Sequence, residues 1–68
     1  MKHDPERKQA AELEAALREW QHALRRFDSA QGEEIRYTAL EVEAARQRYM
    51  LLLNKQRRGN EVRRIRAL

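Results

Sequence analysis

The sequence has no cysteine, a single proline, two glycines and few aromatics. Without thiols there is neither a disulfide staple nor a thiolate zinc site, the two commonest aids to a small fold. The scarcity of proline and glycine leaves few residues that interrupt a helix. Long apolar runs are also missing. The longest, Tyr49-Met50-Leu51-Leu52-Leu53, falls far short of the roughly 18 residues that a membrane span needs. The start, Met1-Lys2-His3-Asp4-Pro5-Glu6, leads into charges rather than an apolar stretch. No signal peptide is therefore expected, and the expected location is cytoplasmic.

What is present favours helix. Ala, Glu, Leu, Gln and Arg are abundant and 38% of residues are charged, a composition of strong helix formers. The mean hydropathy of -1.03 is low enough for disorder to compete, but disordered chains lack regularly spaced large apolar residues and this chain has them. At 68 residues there is room for one domain, and a core this small rarely stabilises itself without help. The net charge of +4 is unevenly spread. Acids and bases balance over residues 1–32. Residues 48–68 carry Arg48, Lys55, Arg57, Arg58, Arg63, Arg64 and Arg66 against Glu61 alone.

Asp4 followed by Pro5 predicts a helix start, since the carboxylate accepts from first-turn amides and proline suits a position whose N–H has no partner. Ala10, Leu13, Leu17, Trp20, Leu24 and Phe27 then recur at alternating steps of three and four, a heptad-like stripe with Ala16 and Ala23 on its flank. A first helix is predicted over about 5–27. Asp28-Ser29-Ala30-Gln31-Gly32 interrupts it with turn-forming residues, a length that suits an antiparallel hairpin. Glu33 and Glu34 favour the positive end of a second helix, predicted over about 33–58, with Gly59 as its C-terminal cap.

The second helix carries two apolar stripes. Ile35, Thr38, Val42, Ala45, Tyr49 and Leu52 would face the first helix, setting Trp20 near Val42 and Ala45. Tyr37, Leu40, Ala44 and Leu51 lie roughly 150° away round the helix. One mate cannot cover both, so these four residues are the expected protein interface. The expected architecture is all-α, an antiparallel two-helix, coiled-coil-like hairpin over residues 1–59. Two such hairpins would dimerise into a four-helix bundle, the simplest closed arrangement. A hairpin held by a different protein and a self-sufficient monomer are the other arrangements.

Residues 60–68 form a basic C-terminal tail, or a short third helix capped by Asn60 with Val62, Ile65 and Leu68 on one side. Arg57, Arg58, Arg63, Arg64 and Arg66 would each neutralise a phosphate, which makes this end a candidate nucleic-acid contact of salt-sensitive, sequence-independent type. An anionic membrane surface would also suit it. A solubilising helix end is the plainer reading.

Arg18-Glu19-Trp20, then Phe27-Asp28, then the run from Ala44 to Leu53 followed by Arg57-Arg58-Gly59 resemble the YaaL-like family of small bacterial proteins, found mostly in Firmicutes. The likeness covers about residues 13–59 of the chain. It departs at Ser29-Ala30-Gln31-Gly32, which lacks the proline that family often has there, and the basic tail extends past the matched region. The resemblance implies a cytoplasmic helical protein and assigns no activity.

No constellation for catalysis is found in the sequence. His22 has Arg25 and Arg26 at the spacings where a ligand pair would place another His, Asp or Glu, so it is expected to be a solvated surface histidine. Glu41 and Glu43 are expected to pair with Arg48 and Arg46. There is no phosphate-binding glycine loop and no nucleophile beside a base. The expectation is a non-enzymatic interaction protein without cofactor or metal, acting through self-association and partner binding. An accessory nucleic-acid binder using the arginine-rich end is the alternative.

Overall fold

The computed structural model describes the backbone of residues 5–67 and the side chains of residues 7–62. Asp4 and Leu68 lie outside the described residues, as do the side chains of Arg63, Arg64, Ile65 and Arg66. Two helices make up the fold: α1, Pro5–Ser29, and α2, Glu34–Ala67. They pack side by side into an elongated hairpin of 55 × 28 × 12 Å.

The turn lies slightly later than the sequence suggests, because α1 continues through Asp28 and Ser29. The Ser29 hydroxyl donates to the carbonyls of Arg25 and Arg26 at 3.2 and 3.3 Å, a back-bonding pattern open to serine in a last turn. Ala30 N–H donates to the Phe27 carbonyl at 3.2 Å. Gly32 then takes φ +62°, the left-handed region that side chains resist. Beyond it, the Glu34, Ile35 and Arg36 amides donate to the carbonyls of Gln31, Gly32 and Glu33. These tight three-residue bonds occupy donors that a helix start would otherwise leave open.

The interior departs from the expected stripe on α1. Among the described residues the two buried apolar ones are Ala16 and Ala23, at 4% and 1% exposure, while Leu17, Leu24 and Phe27 remain 36%, 41% and 38% exposed. Leu13, Trp20 and Ala30 are half-buried and Ala10 is exposed. The contact line thus runs 13, 16, 20, 23, turned about 50° round α1 from the expected one. Small side chains at the line of contact let the two backbones approach, and larger neighbours then fill the sides. On α2 the expected inner stripe holds at Thr38, Val42, Ala45, Tyr49 and Leu52, all half-buried, with Ile35 more open. Trp20 packs on Tyr49, ring centroids 5.7 Å apart and planes at 37°, one turn beyond the Val42 and Ala45 expected opposite it. Its indole Nε1 is buried with no acceptor among the described residues.

Gly59 is not a cap. α2 runs through it to Ala67, so the helix end expected at about 58 is corrected, and residues 60–67, expected as a tail or a short third helix, continue α2. A mid-helix glycine costs only about 1 kcal/mol. Around it stand Lys55, Gln56, Arg57, Arg58 and Glu61, good helix formers, with Glu61 at the three- and four-residue spacings from Arg58 and Arg57 that favour a helix. By length, α2 reaches about 51 Å and α1 about 37 Å. The basic end of α2 therefore projects past the start of α1.

Candidate interaction surface

The outer face of α2 is set by the inner one. With Thr38, Val42, Ala45, Tyr49 and Leu52 turned to α1, the 3.6-residue period carries Tyr37, Leu40, Ala44 and Leu51 to the far side. All four are exposed. Tyr37, Leu40 and Leu51 are among the most open large apolar side chains described, at 66%, 65% and 71%. Val62, 49% exposed, continues the stripe about five turns on from Ala44. Sequence reading assigned Val62 to a separate tail because Gly59 looked like a break. The spacing alone would have joined it to the stripe had the glycine been read as tolerated.

The two long edges of the hairpin differ. On one, Arg26 Nε donates to Glu41 Oε2 at 3.0 Å across the helices, both side chains about half exposed. This replaces the expected Glu41–Arg48 pair within α2, since α1 brings a guanidinium within reach. On the other edge lie Leu17, Leu24 and Met50, the last 37% exposed, a second partly open apolar strip. The sequence reading missed it by placing both leucines in the core.

The expected Glu43–Arg46 pair is present. Arg46 Nη2 donates to Oε1 at 3.0 Å and Nε to Oε2 at 3.3 Å, and Gln47 Nε2 adds a bond to Oε1 at 3.3 Å. The hydrogen bond from Arg46, helped by its charge, holds the Glu43 carboxyl below its ordinary value. The same bond raises Arg46.

Two open hollows adjoin the outer stripe. One, of about 700 Å³, lies at the hairpin tip against Phe27, Ile35, Tyr37, Glu33 and Arg36. The other, of about 490 Å³, surrounds Leu51 and Leu52 and is rimmed by Arg48, Lys55 and Arg58. Neither is an enclosed pocket able to hold acid–base groups away from water.

Arg57 and Arg58 are exposed where α2 begins to project. The remaining arginines of the basic cluster, Arg63, Arg64 and Arg66, fall on helical backbone outside the described side chains. His22 is exposed. Among the described residues no group of three or more His, Cys, Asp or Glu could hold a metal ion, and no helix is long and apolar enough to cross a membrane. No family model, curated protein or solved structure matches the chain.

Proposed function

We propose that this chain is a cytoplasmic, non-enzymatic interaction protein whose hairpin self-associates through the outer face of α2, two hairpins forming a four-helix bundle that can present its remaining surface to a protein partner. The resemblance to YaaL-like proteins is compatible with this reading and supplies no chemistry of its own. What carries the reading is the imbalance between core and surface. Among the described residues the buried apolar ones are two alanines and no large side chain is fully buried, while Tyr37, Leu40 and Leu51 stand open. The chain exposes 6390 Å², where a compact monomer of its size exposes about 4,500 Å². That excess belongs to the whole elongated hairpin, 55 Å long, and the part of it that points to assembly is the exposed apolar stripe on α2.

Mass in solution tests this directly. Sedimentation or light scattering is expected to give a dimer, and Leu40→Glu with Ala44→Glu is expected to reduce it to monomer by placing buried charge at the seam. A monomeric mass for the unsubstituted chain would sink the proposal.

The alternative reading, an accessory RNA or DNA binder, draws support from the projection of α2 beyond α1, which holds its basic end clear of the hairpin. Removal of residues 60–68 should then abolish retention of RNA on a filter at low salt and leave self-association intact. Binding that does not weaken as salt rises would exclude the phosphate-contact mechanism.

A further inference from the structure

Resting on the self-association proposed above, we infer that the outer stripe is covered by α2 of a second copy lying antiparallel, with Leu40 level with Leu51 of the second copy and the twofold axis between Ala44 and Gln47. The ends of the stripe give the first reason. Glu33, in the turn that precedes α2, comes four residues before Tyr37, and Arg58 lies two turns after Leu51 on this face, both exposed. A parallel pair would set Glu33 against Glu33 and Arg58 against Arg58. The antiparallel pair sets Glu33 against Arg58 at both ends and opposes the two helix dipoles.

The edge of the stripe nearest α1 gives the second. Glu34, Glu41, Arg48 and Lys55 recur every seven residues and are all exposed, so they stand in one row along α2. The order acid, acid, base, base is self-complementary only when the row is reversed. The register that levels Leu40 with Leu51 brings Glu34 beside Lys55 of the second copy, and brings Glu41, whose Oε2 already accepts from Arg26 of its own hairpin, beside Arg48, each pair made twice by the symmetry.

The third reason is shape. The hollow at Leu51 is rimmed by Arg48, Lys55 and Arg58, the three bases that this register opposes to Glu41, Glu34 and Glu33. Leu40 of the second copy would enter that hollow with its flanking acids meeting the basic rim. Ala44, beside the axis, lets the helices approach. On the opposite edge Arg36 comes beside Arg57, both exposed and open to screening by salt. Glu43 there is already held by Arg46.

The chain has no cysteine, so Leu40→Cys and Leu51→Cys each introduce a single thiol. In this register the two copies of position 40 stand about 16 Å apart along the helices, as do the two copies of position 51, beyond disulfide reach. Under mild oxidation neither variant alone should form covalent dimer. An equal mixture should convert about half of its chains, the statistical share of mixed dimers. Tyr37→Cys mixed with Asn54→Cys, one layer further out at exposed positions, should behave in the same way and guards against loss of fold at the leucines. Rapid cross-linking of either variant alone overturns the antiparallel register and leaves self-association standing. A dimeric mass with no cross-linking in either mixture places the interface elsewhere. A monomeric mass overturns the register and the proposed function together.

Discussion

The two glycines should respond to alanine with opposite signs. Gly32 sits at φ +62°, and although nothing lies within 4 Å of an added Cβ, the left-handed backbone costs an L side chain about 1–2 kcal/mol. For a domain of this size each kcal/mol lowers the melting temperature by about 4–8 °C. Gly32→Ala should therefore melt about 4–16 °C lower. Gly59 also has nothing within 4 Å of its Cβ, but it lies within α2, where alanine is the better residue by about 0.5–1 kcal/mol. That difference multiplies the helix–coil equilibrium constant of the last turns about two- to fivefold. Gly59→Ala should raise the helical signal at 222 nm and leave the main transition at or slightly above its original temperature. Circular dichroism melts at one fixed protein concentration supply the comparison, since assembly shifts apparent stability. A fall in helicity for Gly59→Ala would mean that the residue caps the helix in left-handed geometry, and the continuous α2 would be wrong.

Three further perturbations probe the interior and the surface charge. Ala23→Leu should destabilise by about 1–3 kcal/mol in urea despite its added hydrophobicity, because Ala23 is 1% exposed at the line of closest approach; a gain in stability would restore the leucine stripe as the true contact. Trp20→Phe should be close to neutral, as lost apolar area is offset by removing the buried, unpartnered Nε1, a group worth about 1–3 kcal/mol of strain on stability. A loss well above that range would show that the indole N–H has an acceptor. Glu43 has a folded pKa below its unfolded one, so its contribution is present above the unfolded value and is lost as pH falls through the folded one. Arg46→Gln should move the Glu43 side-chain NMR titration midpoint upward; an unchanged midpoint would rule out Arg46 as the cause.

The existence of two helices and the inner face of α2 were legible from periodicity, and the antiparallel hairpin from the turn-forming residues between Asp28 and Gly32. The face of α1 was not. The line through Leu13, Leu17, Trp20, Leu24 and Phe27 and the line through Leu13, Ala16, Trp20 and Ala23 share residues and satisfy the same period. Hydrophobicity ranks the leucines first, whereas close approach to a helix already carrying Tyr49 and Leu52 favours the alanines. Only the facing side chains decide, and they are not adjacent in sequence. Gly59 failed for a related reason: the signal for a helix end is local, but the outcome depends on the helix formers on both sides of it.

The corrected face of α1 has an energetic consequence. Leucines in the hairpin core would have given the chain a larger interior of its own. With alanines there, Leu17 and Leu24 stay partly open on one edge while Leu40 and Leu51 stay open on the outer face. A second copy on the outer face would bury the latter pair, and that burial would add to a hairpin that is marginal alone. Folding and assembly would then be one equilibrium. The melting temperature of the unsubstituted chain should rise with concentration, and that of the Leu40→Glu, Ala44→Glu variant should be lower and independent of it. Equal, concentration-independent melts would mean that two alanines and their half-buried neighbours suffice.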